Sequence, residues 1–353
     1  MRRIAVFPGD GISREITAAA VNTLEAVEER SGIDLALVQF RFQEELFRRT
    51  GSLLTPSETE ELLTHYDALL AGYFPQGADH QFPQGTRILY SFLRDLDLFI
   101  NLRPVRLLNS AWCPLKQKTR DQINFHILSE TSEGIAVDLA GTVRKGSAEE
   151  ISMHQCLHTR HGVERFVRFG FEYARANGLK NIILCCRCEN FPRDDDLWER
   201  VFRELEKDFP EMETRCLPVG SLIHEMMKCP ERLELILTNS MYSQVIADLG
   251  MELQGGIEFS PEAYLYPGRI SLFMPVMKQL SKSSNLQNTS PFSTILSAGM
   301  MLKHLGFEQE AGWVHRAVQY ALETNNTTQD LGGRLSTRQV GDFIADQIKK
   351  GSC

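Results

Sequence analysis

His154, Cys156, His158 and His161 are residue types that bind transition metals, and alternation along a strand would set the first three on one side of it. The spacing permits a zinc site without requiring one. Cys185, Cys186, Arg187 and Cys188 form a second group. Along a strand these thiols face opposite ways, so the pattern fits either ordinary buried cysteine or a thiol activated by the Arg187 cation. A third group, Pro8-Gly9-Asp10-Gly11, is a glycine-rich turn that lacks the spacing of both the Rossmann and the P-loop fingerprints.

These groups need elements to hold them. Ile4 to Phe7 is a short apolar run ending at the glycine-rich turn, and from Ile12 to Glu29 the apolar residues recur at helical spacing. Leu35 to Phe42 predicts a second strand. Thr55-Pro56-Ser57 caps a helix running through Leu63, and Asp67 to Gly72 predicts a buried strand. Helix and strand alternate, as in α/β folds. A helix from Ile88 leads into a strand over Leu98 to Asn101, and residues 123 to 145 predict strands with no helix between them. A second lobe therefore starts near residue 100. Helix Val163 to Asn177, strand Asn181 to Cys186, helices Leu197 to Phe209 and Ser221 to Lys228, and strand Leu233 to Thr238 continue it. Helices at 291–305, 307–324 and 336–349 return the chain to the first lobe. The expected division is 1–100 with 250–353 in a large α/β lobe, and 101–249 in a smaller one.

A chain of 353 residues is longer than one core usually sustains, which agrees with two lobes. Hydrophobic residues at 42% and charged residues at 24% are those of a folded protein. The net charge of −8 argues against a general nucleic-acid binder, whose affinity comes from dense Lys and Arg surfaces. No apolar run is long enough to span a membrane, and no hydrophobic leader precedes the first strand, so the expected location is the cytoplasm. The eight cysteines do not make a disulfide scaffold in a chain of this length and are expected to be reduced thiols.

The opening turn Pro8-Gly9-Asp10-Gly11-Ile12, with Glu15 one helical turn on, resembles that of the β-decarboxylating dehydrogenases of isocitrate, isopropylmalate and tartrate. The likeness continues through Asp67-Ala68-Leu69-Leu70-Ala71-Gly72, Leu98 to Arg106 with its Arg103-Pro104 pair, and Glu164-Arg165 with Phe171-Glu172-Tyr173-Ala174. It extends through Thr294 to Ala298 and Thr328-Gln329-Asp330-Leu331-Gly332-Gly333, so it spans the chain. The resemblance implies an α/β, two-lobed isocitrate/isopropylmalate dehydrogenase-like fold with a central cleft. It also implies a homodimer joined through the smaller lobes, and oxidation and decarboxylation of a 2-hydroxy acid with NAD or NADP and Mg²⁺ or Mn²⁺.

Carried over position by position, the resemblance leaves little of that machinery. The family's three metal-binding aspartates align with Gly220, Gln244 and Asp248, so one carboxylate and one amide oxygen remain. The alternative for Asp248 is a solvated or helix-capping acid. The proton-transferring Lys and Tyr align with Arg187 and Ala136, neither of which serves as a base near neutrality. Of three arginines that hold substrate carboxylates, Arg103 is kept and Arg94 stands one residue closer to it than usual. Ser129 before Glu130 replaces the third. Arg94, Arg103 and Arg187 would then form a cationic pocket for a small carboxylate or phosphate, unless each pairs with an acid such as Asp95 or Asp97. The nucleotide-wrapping stretch His-Gly-Ser-Ala-Pro-Asp aligns with Met277-Lys278-Gln279-Leu280-Ser281-Lys282. That change blocks close backbone approach, although Lys278 and Lys282 have the charge and reach for a phosphate.

The expectation is a pseudoenzyme or regulatory member that binds a small anionic metabolite, as a homodimer or beside a related catalytic subunit. The alternatives are a repurposed enzyme relying on Arg187 and the cysteines, and a low-efficiency oxidoreductase or decarboxylase with Asp248 and Gln244 holding metal.

Overall fold

The computed structural model describes residues 1–9, 11–40, 44–74, 84–187, 196–276 and 289–351. The chain divides into two compact units, one of Met1–Asp97, Leu107–Arg120 and Met251–Cys353, the other of Leu98–Arg106 and Asp121–Gly250. Leu107–Arg120 thus belongs with the first unit, whereas the expected division placed it in the second.

The first unit begins with β1 (Arg2–Phe7), α1 (Ile12–Ser31), β2 (Leu35–Gln39), α2 (Glu44–Thr50), α3 (Pro56–His65), β3 (Ala68–Ala71) and α4 (Gln84–Asp95). The second unit carries β4 (Ile100–Arg106), β5 (Asn124–Glu130), β6 (Gly134–Val143), β7 (Ile151–Leu157), α5 (Arg160–Ala176) and β8 (Asn181–Cys185). It continues with α6 (Asp196–Glu206), β9 (Glu213–Cys216), α7 (Val219–Lys228), β10 (Leu235–Thr238) and α8 (Ser240–Leu253). The chain then completes the first unit with β11 (Pro261–Leu265), β12 (Leu272–Pro275), α9 (Phe292–His304), α10 (Glu308–Glu323) and α11 (Thr337–Lys350). Among the described residues no helix is long and apolar enough to cross a membrane.

Strands of the first unit lie in the order β2-β1-β3-β12-β11, parallel except that β11 runs against β12. Those of the second lie in the order β4-β5-β10-β8-β9, parallel except that β4 runs against β5. Every residue of β3 and β10 is buried, which is why these segments read as continuous apolar runs rather than alternating ones. β6 and β7 pair only with each other, as an antiparallel ribbon.

The sequence places many elements but assigns none at α2, β9, α8, β11 or β12, and others are misplaced at their ends. β4 starts at Ile100 and runs to Arg106, later than Leu98 to Asn101, because its pairing with β5 holds the chain extended from Ile100 opposite Glu130 to Arg106 opposite Asn124. α5 begins at Arg160 rather than Val163, because the Thr159 hydroxyl accepts the Gly162 N–H at 3.0 Å and caps the helix there.

Two helices have a full reciprocal cap. In α3 the Glu58 N–H reaches the Thr55 hydroxyl at 3.2 Å, and the Glu58 carboxylate accepts the Thr55 N–H at 2.8 Å. In α11 the Gln339 N–H reaches the Ser336 hydroxyl at 3.3 Å, and the Gln339 side-chain oxygen accepts the Ser336 N–H at 2.9 Å. Ser336→Ala removes one arm of that pair and is expected to cost about 1 kcal/mol. Urea unfolding should show a lower midpoint at unchanged slope.

Candidate functional site

Register across the second unit's sheet sets up the site. Asn101 in β4 lies opposite Ser129 in β5, Ser129 beside Thr238 in β10, and Thr238 beside Cys185 in β8, so the four form one row. Two positions along, Arg103 lies opposite Ile127 on the same face. α8 covers this face: Gly250 sits so close that an added Cβ would fall 2.8 Å from Val105 and 2.9 Å from Ile127. α5 covers the other, where Gly170 meets Leu237 as closely. Parallel strands β5, β10 and β8 end at this row, the edge where open α/β sheets take ligands.

Asn101, Ser129, Thr238 and Cys185 are all buried, and the Ser129 hydroxyl has no hydrogen-bond partner among the described residues. Arg103 is half-buried and has a partner. Arg187 follows β8, half-buried, with its carbonyl accepting the Val219 N–H at 3.0 Å where α7 begins. Among the described residues its guanidinium has no acid within ion-pair distance, the geometry of a cation available to an anionic ligand. Burial pushes the nearby Cys216 thiol up to about 11, against the opposing pull of the Arg203 and Arg187 cations.

Arg94 stands apart from this set, in the last turn of α4 in the first unit. It is 69% exposed, and its Nε lies 3.7 Å from Asp95. The expectation that the three arginines share one pocket is not met by the described geometry: Arg103 is level with Ile183 of β8, three strands away and four residues short of Arg187, and Arg94 already has an acidic neighbour. That acid is itself held by the hydroxyls of Ser52 and Ser91.

Asp248 and Gln244 lie one turn apart on α8, and the Gln244 amide donates to Asp248 Oδ1 at 2.6 Å. The reading of Asp248 as a helix cap does not hold. α8 starts at Ser240, where the Asn239 side chain accepts the Tyr242 N–H at 3.3 Å, and Asp248 lies well inside the helix. Gly220 is exposed in the first turn of α7 and offers no side-chain oxygen. Among the described residues no three of His, Cys, Asp or Glu come together as a metal ion requires. A hard divalent cation needs several anionic oxygens, so this donor set, with an N–H aimed at its one carboxylate, does not fit one.

Ala136 sits half-buried in β6, its N–H donating to the Glu133 carbonyl at 3.3 Å. Cys185 and Cys186 are buried, as the ordinary-cysteine reading has it, and Cys188 lies outside the described residues. So do Met277, Lys278 and Lys282 of the expected nucleotide loop. Of the metal-compatible group, His154 and His161 are exposed on β7 and α5, and the described contact is between Cys156 and His158.

Glu130 is a residue whose importance the sequence did not signal. It is fully buried at the end of β5, where its carboxylate accepts the Ser132 N–H at 2.8 Å, the Ser132 hydroxyl at 2.5 Å and the Glu133 N–H at 3.0 Å. Arg165 donates to the same hydroxyl at 2.9 Å while its guanidinium lies 4.0 Å over the Phe99 ring. Burial pushes the Glu130 carboxyl up despite those hydrogen bonds. The turn that leads into β6 is thus tied to α5 through one buried acid.

Two α/β units with their strands in these orders define the class of protein, and comparison with known proteins gives the family. The family model for isocitrate/isopropylmalate dehydrogenase matches residues 3–344. The chain is 32% identical to 3-isopropylmalate dehydrogenase of Thermobifida fusca (strain YX), over 98% of this chain and 97% of that one. It is 29% identical to the decarboxylating D-malate dehydrogenase of Escherichia coli (strain K12), over 98% of each. The isocitrate dehydrogenase of Methylococcus capsulatus superposes with a TM-score of 0.84 at 22% identity, covering 99% of this chain and all of that one. The chain belongs to the isocitrate/isopropylmalate dehydrogenase family.

Because burial raises the Glu130 carboxyl, the folded state holds a proton that the unfolded chain has released. Stability from this group is full below the ordinary glutamate value of about 4.3 and is lost as pH rises through the raised folded-state value. Glu130→Gln should flatten the fall in unfolding free energy over that interval, measured by urea unfolding at a series of pH values.

Proposed function

We propose that this member of the family holds a small anionic metabolite without the metal-dependent oxidative decarboxylation after which its relatives are named, in a regulatory or pseudoenzyme role. The observation that carries the reading is the hydrogen bond from the Gln244 amide to Asp248, which puts an N–H donor on one oxygen of the lone carboxylate a cation would need. Two residue types support it. Arg187 stays protonated at any working pH and Ala136 has no proton to give, so neither replaces a general acid or base. Arg187, with no acid at ion-pair distance among the described residues, and Arg103 are the groups that hold the anion.

The second reading is a repurposed or low-efficiency oxidoreductase or decarboxylase acting on a small carboxylic acid. The names of the relatives favour it, since those at 32% and 29% identity are dehydrogenases of isopropylmalate and malate.

The protein works as a homodimer, or with a related catalytic subunit, in the cytoplasm. The β6–β7 ribbon supports the dimer. Leu139, Val143, Ile151, Met153 and Leu157 fall on one side of it by alternation, and each is between 42% and 53% exposed. None of the six cysteines described is in a disulfide, as a reducing compartment leaves them.

Purified protein assayed with isocitrate, isopropylmalate, D-malate and tartrate, with NAD or NADP and Mg²⁺ or Mn²⁺, is expected to show no turnover; rates of an ordinary dehydrogenase would end the proposal. In a thermal-shift screen of di- and tricarboxylates a stabilising ligand is expected, and Arg103→Ala or Arg187→Ala should weaken its binding about tenfold or more. Gly220→Asp combined with Gln244→Asp should bring measurable Mn²⁺ binding by calorimetry where the parent shows none.

A further inference from the structure

We propose that Cys156 is a reactive thiol, assisted by His158, that forms mixed disulfides with low-molecular-weight disulfides. This inference is independent of the ligand reading above. Cys156 is exposed on β7, and its Sγ lies 3.3 Å from Nε2 of His158, just past the strand end. Alternation sets Cys156 and His158 on the even-numbered side of the ribbon, opposite the apolar side that bears Ile151, Met153 and Leu157. A partner covering the apolar side leaves the thiol's side uncovered.

The imidazole is fixed from behind. Its ring meets the buried Trp198 edge to face, with centroids 5.4 Å apart at 90°. Its Nδ1 is buried with no hydrogen-bond partner among the described residues, so Nε2, facing the sulfur, is the nitrogen that is engaged. Glu133 is the acid nearest in effect. The Thr159 N–H and hydroxyl hold its carboxylate at 2.8 and 2.6 Å, and its charge opposes the downward pull of burial on the His158 pKa. The other described cysteines lack this setting: Cys185 and Cys186 are buried, and Cys113, Cys216 and Cys229 are half-buried.

In the step proposed, His158 Nε2 takes the thiol proton as Sγ attacks one sulfur of the reagent. A new S–S bond forms at Cys156, the reagent's own S–S bond breaks, and the departing thiolate takes the proton back from Nε2. Cys156 is oxidised to the mixed disulfide, and the departing half of the reagent is reduced to a thiol.

The full chain is incubated with oxidised glutathione, and adducts at each cysteine are followed over time by peptide mass spectrometry. Cys156 should react about tenfold or more faster than Cys229, and both His158→Ala and His158→Gln should slow it about tenfold with the Cys229 rate unchanged. A Cys156 rate held within about twofold in either folded variant overturns the assignment. Should both variants lose the fold, the His158 nitrogen resonances in Cys156→Ser decide it: a shift from the parent supports the pairing, and identical resonances overturn it.

Discussion

Side chains on a strand alternate between two faces, so the pairing of β4 with β5 decides what the second unit can present to a ligand. With Asn101 opposite Ser129 and Arg103 opposite Ile127, the arginine and the unpartnered hydroxyl share the face under α8. A slip of β4 by one residue against β5 would turn Arg103 to the opposite face, away from Ser129. The parallel strands β5, β10 and β8 lock the register from the other side by burying both of their faces. What Arg103 can reach is therefore a property of the whole sheet and not of its own strand.

On that scaffold, the electrostatic balance of the site depends on which charges already have partners. Asp248 accepts a hydrogen bond from a neighbour on its own helix, and Glu130, its pKa raised by burial, ties a turn together. Each thus has at least one carboxylate oxygen already engaged within the chain. Arg187, by contrast, has no acid beside it among the described residues. A patch of positive potential with no compensating carboxylate favours anions, and the low dielectric of a half-buried position strengthens that preference.

Much of the fold was legible in the sequence because it is written in periodicity. The runs at Ile4–Phe7, Asp67–Gly72 and Asn181–Cys186 gave their strands to within a residue or two, and Thr55-Pro56 announced the cap of α3 through a mechanism local to four residues. The start of β4 and the start of α5 were misplaced because a cross-strand partner fixes the first, and the second depends on a hydroxyl finding an N–H three residues on. The site was less legible for the same reason. That Arg187 stands without an acid while Arg94 sits beside Asp95 is a fact of three dimensions, and so is the burial of Glu130. The bond between Gln244 and Asp248 was within reach, since four residues on a helix is one turn, but only once both were known to lie inside α8. The meeting of Cys156 and His158 follows from strand alternation and was readable as proximity; the Trp198 ring that holds the imidazole was not.

The β6–β7 ribbon has a further consequence. Among the described residues its two strands pair only with each other, and the side bearing Leu139, Val143, Ile151, Met153 and Leu157 is largely apolar. Such a surface templates the addition of any extended segment it meets, native or not. A newly made chain carries that hazard for as long as the ribbon stays uncovered. Expression level and dilution, rather than temperature alone, then govern how much of the protein stays usable.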